Sequence, residues 1–402
     1  MGYHLFTDFI CKDKMLLENL KIIGSEGQTS NIEIENGIIK NIYNGDNKSP
    51  SRHNDLSFKF DNAIAFPGLI NSPDHLEFST FPKLGDRIYK DYIEWGNDIH
   101  SRDDDFINKV RSIPYGLRFK FGLYRNLLCG VTTVVHHGNG AIFNFKDLPD
   151  VHSGYNYLHS VGLENKWRLK LNILFNGLPF LIHTGEGTNQ ESADEVTQLL
   201  RWNIFRKQLI GIHAISVTEN QAKKFRAIIW CPDSNLFLYN KTADISSFKK
   251  HTNILFGTDS NVSSDWNMWN HLRLARRLNQ LYDDELFGSI SETAAGVWKM
   301  RNKGTIEVNK TADLVIAARK YEKDWDSFYA INPEAILLIL KNGTIVLADK
   351  KVFDKNPGIN ENYFDTIKIN SSIKLVIKGL SELLNQIRSY LPDYKFPIEI
   401  EN

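Results

Sequence analysis

Cysteine is scarce in this chain of 402 residues: Cys11, Cys129 and Cys231 are few, odd in number and far apart. Such a set builds neither a disulfide framework nor a clustered zinc motif, and it fits a reducing cytoplasm. Long apolar runs are also missing, since none approaches the ~20 residues that span a bilayer. Met1-Gly2-Tyr3-His4-Leu5-Phe6-Thr7 has no apolar signal-peptide core and no Ser/Thr spacing for myristoylation. Net charge is absent, because 48 basic residues balance 48 acidic ones. That speaks against nucleic acid or an anionic membrane surface as the main partner. No fixed-period repeat and no low-complexity segment occurs. The expectation is a soluble, cytoplasmic enzyme or binding protein, long enough for one large domain and a smaller one.

What is present changes character along the chain. Residues 1–62 read as short strands: Leu20 to Ile23, then Asn31 to Glu35, Asn36-Gly37 and Ile38 to Tyr43. An Asn-Gly pair between apolar runs predicts a type I′ hairpin, which needs positive φ at both central residues. The same signals return in Gly304 to Val308, Ala312 to Ile316, and Ala335 to Leu340 with Asn342-Gly343 and Thr344 to Leu347. Residues 63–302 alternate strands with helices. Predicted strands are Ala63 to Ile70, Val131 to His137, Tyr155 to Val161, Pro179 to His183, Leu209 to His213, Ala227 to Cys231 and Asn253 to Gly257. Helices are expected over Pro114 to Leu128 and Ser192 to Lys207. This alternation fits a parallel barrel. The predicted organisation is a β-sandwich domain from 1–62 and 303–358, a barrel over 63–302, and a tail over 359–402. In the tail, Ile373, Ile377, Leu380, Leu384, Ile387 and Leu391 predict a helix over 371–391, capped by Ser371 or Ser372. Its apolar stripe packs on its own barrel or forms a subunit contact, as in a homodimer.

Four predicted strands end in residues of metal-ligand type. They give His75, His183-Thr184-Gly185-Glu186, His213 and Gly257-Thr258-Asp259-Ser260. Chemistry in a parallel barrel sits at that end of the strands. Neutral imidazole and carboxylate suit zinc or iron, and catalytic zinc needs about three protein ligands and an open position.

In order, these motifs resemble the amidohydrolase superfamily, in its deaminase and chlorohydrolase branch with cytosine and guanine deaminases. Phe66-Pro67-Gly68 through Pro73-Asp74-His75 resembles the first barrel strand, with Pro73 in place of the first histidine of His-x-His. His183-x-x-Glu186 is similar to the fifth-strand motif, and His213 with Thr218-Glu219 to the sixth. Trp230-Cys231-Pro232-Asp233-Ser234-Asn235-Leu236 resembles a His-Cys-Pro-x-Ser-Asn segment, with Trp230 for the histidine. Gly257 to Ser260 matches the eighth strand, and Gly304 to Val308 with Lys310 to Leu314 resembles the return into the β-domain.

The resemblance implies a distorted (β/α)8 barrel with a small β-sandwich domain built from both termini. It implies one divalent metal, zinc first with iron or manganese as alternatives, on His75, His183 and Asp259. His213 would be a further ligand or a partner of the activated water. Asp259 would take the water's proton and Glu186 would shuttle one to the substrate. Hydrolysis of a C–N bond in a small cyclic amidine or amide follows. The alternative is a barrel that has lost its metal and binds a ligand or does non-hydrolytic chemistry. Pro73 removes one imidazole. His136 or His137 is a possible replacement, and at most one of these neighbours faces the interior. The segment after the first strand is aromatic, with Phe78, Phe81, Tyr89, Tyr92 and Trp95. Glu77, Phe78, Trp95, His137 and Trp266 are the expected pocket residues, favouring a flat or ring-shaped small molecule.

Overall fold

Both Asn-Gly pairs turn as their chemistry requires. Asn36 and Gly37 have φ of 52° and 78°, and Asn342 and Gly343 have 51° and 73°. They close the hairpins Ser30–Glu35 with Ile38–Asn44 and Ile336–Lys341 with Thr344–Asp349. The two tips touch: a Cβ on Gly343 would lie 2.6 Å from Gly37 Cα. The computed structural model describes residues 14–25, 28–45, 56–138, 140–356 and 359–401. Cys11 and the N-terminal heptapeptide lie outside the described residues.

These hairpins belong to one ten-stranded mixed sheet that draws on both ends of the chain. Leu56–Pro67 pairs in parallel with Lys14–Ile22 on one side and antiparallel with Leu314–Ala318 on the other. Alternate side chains along these strands go to opposite faces. Ala65, Leu314, Ile316, Leu338 and Leu340 enter one core. Ile64, Phe66, Val315, Ala317 and Ile339 enter another, shared with the helices of the middle region. Hydrogen bonds thus join a single mixed sheet where a sandwich is expected.

The middle region supplies two parallel sheets, of three and five strands. The first joins Leu69–Asp74, Val131–His136 and Asp150–His152. The second joins Asn156–Tyr157, Phe180–Thr184, Leu209–His213, Ala227–Trp230 and Asn253–Phe256, all in chain order. A single parallel bridge, Asp74 to Asp259, connects the two at one side. Among the described residues no ladder joins Asp150–His152 to Asn156–Tyr157, so hydrogen bonds do not close the sheets into a ring.

The apolar run Ala63 to Ile70 serves both systems instead of forming one strand. Leu56–Pro67 ends it on the mixed sheet and Leu69–Asp74 begins the first parallel strand. Gly68 makes the crossing, donating its N–H to the Asp313 carbonyl at 2.8 Å. A Cβ there would lie 2.2 Å from Thr132 Oγ1 and 2.9 Å from Thr132 Cβ. Gly68→Ala is therefore expected to destabilise by about 1–3 kcal/mol through overpacking. Gly296→Ala serves as the control, since a Cβ on that helical glycine meets nothing within 4 Å. Equal melting temperatures for the two variants would refute the packing argument.

Three other expectations change. Residues 304–308 form a bend and irregular chain, not a strand. The strand predicted over Tyr155 to Val161 shrinks to Asn156–Tyr157. In the tail, Ser372–Ile377 is a strand paired with Phe364–Ile369 and Thr344–Asp349, and the helix runs only from Leu380 to Tyr390. Lys374 is the reason: fully buried, it donates to Asp349 Oδ2 at 2.7 Å and to the carbonyls of Glu334 and Ile336. Gly379, at φ 112°, separates strand from helix in place of a serine cap. Leu383, Leu384 and Ile387 are buried in the main core, where the helix packs on Tyr115–Leu128. Ile373 is exposed, and the rest of the apolar stripe is covered by its own chain. No described helix is long and apolar enough to cross a membrane.

Candidate active site

Five parallel strands bring a ligand-type side chain to one place. His75 directly follows Leu69–Asp74, and His137 directly follows Val131–His136. His183 lies in Phe180–Thr184, His213 closes Leu209–His213, and Asp259 stands three residues past Asn253–Phe256. The first and last of these strands are tied together at the site itself. His75 N–H donates to the Asp259 carbonyl at 2.8 Å, and Asp259 N–H donates to the Pro73 carbonyl at 3.0 Å. Gly257 permits that approach, because a Cβ there would sit 2.2 Å from the Ser72 carbonyl oxygen. His213 and Asp259 have φ of 68° and 62°. Positive φ at residues other than glycine costs about 1–3 kcal/mol, and such strain gathers at functional sites.

The distances define a compact polar centre. His75 Nε2 is 3.7 Å from Asp259 Oδ1, and His213 Nε2 is 4.0 Å from Asp259 Oδ2. Glu186 Oε1 stands 3.6 Å from His213 Nε2. Ligand atoms of His183, His213 and Asp259 all lie within 4.8 Å of one another, as do those of His75, His137 and His183.

Hydrogen bonds behind the rings decide which nitrogen faces the centre. His183 Nδ1 meets the His159 carbonyl at 3.1 Å, and a carbonyl only accepts, so Nδ1 carries the proton. His213 Nδ1 likewise donates to Asn235 Oδ1 at 2.8 Å. Each ring is left with an Nε2 lone pair. Carbonyl partners behind metal-binding imidazoles work in this way. Burial pushes His75 and His183 well below the usual imidazole range, and the neighbouring rings add to it. Both are neutral, as metal ligands must be. Asp259 Oδ2 accepts from Ser234 at 2.7 Å and from Ser263 at 3.2 Å. His75 Nδ1 is buried with no hydrogen-bond partner. A donor set of lone-pair imidazoles around a carboxylate, with an orphaned buried nitrogen, fits a zinc-type cation.

Glu186 is a buried carboxyl beside the centre. Burial pushes its carboxyl up to about 7, with His213 opposing and Asp259 adding. Tyr239 donates its hydroxyl to Glu186 Oε1 at 2.9 Å. The cavity above has a volume of about 240 Å3 and reaches His75, His183, Glu186, His213 and Asp259. Phe78, Phe81, Tyr92 and Trp95 are among its walls.

Three expected pocket residues, Glu77, Trp266 and His137, do not line this cavity. Glu77 is buried 3.7 Å from His136 Nδ1, where burial raises its carboxyl to about 7. Trp266 lines a neighbouring cavity of about 610 Å3 with Arg125 and Tyr394. Of the paired histidines, His137 joins the centre, whereas His136 packs against Phe119. Trp230 is fully buried against Phe256 and donates to Thr242 Oγ1 at 2.7 Å, away from the pocket.

Tyr239, Asn235, Ser234 and His159 escape the sequence reading as site residues. Asn235 and Ser234 sit in a motif that resemblance picks out without roles. Tyr239 follows Asn235 by one helical turn on Pro232–Tyr239, which is the signal that would have found it.

Residues 176–346 match the model of the amidohydrolase family. No curated protein matches the chain in sequence. Among solved structures, an adenosine deaminase from Xanthomonas campestris with bound zinc is similar at 16% identity and a TM-score of 0.65, covering 94% of this chain and 98% of that one. An atrazine chlorohydrolase from Arthrobacter aurescens TC1 complexed with zinc gives 14% identity and a TM-score of 0.59, covering 94% and 100%. Helicobacter pylori aminofutalosine deaminase in complex with methylthio-coformycin gives 14% and 0.59, covering 83% and 100%. Residues 176–346, which carry His183, Glu186, His213 and Asp259, are thus similar to the amidohydrolase family, and the fold over nearly the whole chain is shared with these solved structures.

Proposed function

We propose that the chain is a metal-dependent amidohydrolase that cleaves a C–N bond in a small cyclic amidine or amide, in the manner of a deaminase. The observation that carries this reading is the convergence of imidazoles whose lone pairs are aimed by carbonyl partners, beside Asp259 and Glu186. His75, His183 and Asp259 would hold one divalent ion, with His213 as fourth ligand or as partner of the attacking water. Such an ion, when bound, brings the pKa of water down towards ~7.

The chain's own groups do the rest. Asp259, with Ser234 and Ser263 fixing one carboxylate oxygen, accepts the proton released by water at the other. Glu186 carries a proton to the ring nitrogen or to the departing amine, and Tyr239 fixes its orientation. A carboxyl near 7 serves in both directions at neutral pH. Phe78, Phe81 and Trp95 exclude water from one side of the ring. The cavity, at about 240 Å3, is smaller than the ~300–1,000 Å3 typical of drug-sized ligands, which supports a compact ring. The eight parallel strands, ordered as in the chain, support reading the middle region as a distorted (β/α)8 barrel with a β-domain from both ends.

The test is elemental analysis of protein purified without chelator, followed by a screen of aminated heterocycles and cyclic amides for ammonia release or ring opening. About one zinc, iron or manganese per chain is expected, with turnover that a chelator removes. Protein that refuses all three metals when supplied with them would leave only a ligand-binding barrel.

A further inference from the structure

Pro73 has no side-chain donor, yet it stands two residues before His75, the spacing that returns to one face of a strand. The centre is therefore short of an imidazole on the first-strand side. We infer that His137 fills that place, coordinating the metal through Nδ1 from the end of the second strand. The inference rests on the metal-dependent reading above and adds a ligand to it.

His137 is fully buried, so its ring has no water to satisfy it. Its Nε2 lies 3.2 Å from the Leu158 carbonyl, which can only accept, so Nε2 carries the proton. Nδ1 is then a lone pair, and it has no hydrogen-bond partner. That is the arrangement of His183 and His213 with the two nitrogens exchanged. The ring stands edge-on to His183, with centroids 4.5 Å apart, and 5.5 Å from His75. Its backbone is fixed as well: His137 N–H donates to the Asp74 carbonyl at 3.0 Å, beside Pro73 and His75.

The two triads of possible ligands describe one centre. Both need His183. Its Nδ1 is committed to the His159 carbonyl, so a single Nε2 lone pair is available, and two separate ions would have to share it. One ion, held by His75, His137, His183 and Asp259 with His213 beside it, uses each lone pair once.

The test measures metal, not turnover. His137→Gln keeps a polar group and much of the volume, and His137→Ala removes both. Each should lower zinc affinity, read by competition with a chromophoric chelator, by at least the ~100-fold that marks the upper end for losing an outer partner. X-ray absorption at the metal edge should count one imidazole fewer than in wild type. Melting of the chelated proteins checks that the variants fold. Should neither fold, wild-type protein loaded with cadmium-113 and labelled with nitrogen-15 histidine decides. The ring identified by its contact with Tyr157, 4.8 Å between centroids, should show cadmium coupling at Nδ1. Unchanged affinity and ligand count, or no coupling at that nitrogen in cadmium-loaded protein, overturn the inference while the hydrolase reading stands. Wild-type protein that binds no metal overturns both.

Discussion

Glu186→Gln is expected to lower turnover by about 10²–10⁴-fold, the usual contribution of a positioned acid–base group, while the metal content stays that of wild type. Glutamine keeps the length of the side chain and an oxygen to accept from Tyr239, whose hydroxyl now reaches Oε1 at 2.9 Å. It cannot carry a proton. His183→Ala is the companion variant and should lose metal and turnover together, because His183 belongs to both triads of the centre. The pair separates proton transfer from metal binding, which neither variant does alone. A Glu186→Gln protein with wild-type rates would remove the carboxylate from the mechanism. A His183→Ala protein with a full complement of metal would remove the centre itself.

The second large effect concerns stability. Asp74 immediately precedes His75, is fully buried, and accepts a hydrogen bond from Arg125 Nη2, which is nearly as buried. Asn126 also donates to Asp74, and Arg125 Nη1 donates to Asn261 Oδ1 at 2.8 Å. Arg125→Met leaves a buried carboxylate without its cation. The expected loss is ~3–5 kcal/mol in denaturant unfolding. Adding Asp74→Asn to that variant should recover part of the loss, since residues in contact are not additive. If Arg125→Met costs less than ~1 kcal/mol, typical of an exposed pair, the ion pair does not fasten the strand that presents His75.

The polar centre was readable because strand ends announce themselves. His183 and Glu186 stand three residues apart across Gly185, after an apolar run that has nothing else to do with a histidine. His213 and Asp259 close their runs in the same way. Less was readable where a residue's importance depends on what lies behind it. Nothing local in sequence distinguishes His137 from His136; the Leu158 carbonyl behind one ring and Phe119 beside the other do so. Tyr239 acts on Glu186 from 53 residues away. The tail misled for a different reason. Ile373 and Ile377 fit a helical stripe with Leu380, but Ile373, Leu375 and Ile377 also alternate with period two. The partner that resolves this is Asp349, which holds Lys374 in the sheet. Gly68 likewise hides inside an apolar run, and only the crowding by Thr132 shows why one strand becomes two.

The mixed sheet has a consequence for how the chain is made. Leu56–Pro67 is an interior strand of it, but its antiparallel neighbour Leu314–Ala318 is translated roughly 250 residues later. At ~5–20 residues per second, an apolar strand edge waits for ~10–50 s on the ribosome. An unpaired edge of that kind templates association with other chains. Nascent protein halted before residue 314 should therefore be a strong client of holding chaperones, and released full-length chain a weak one.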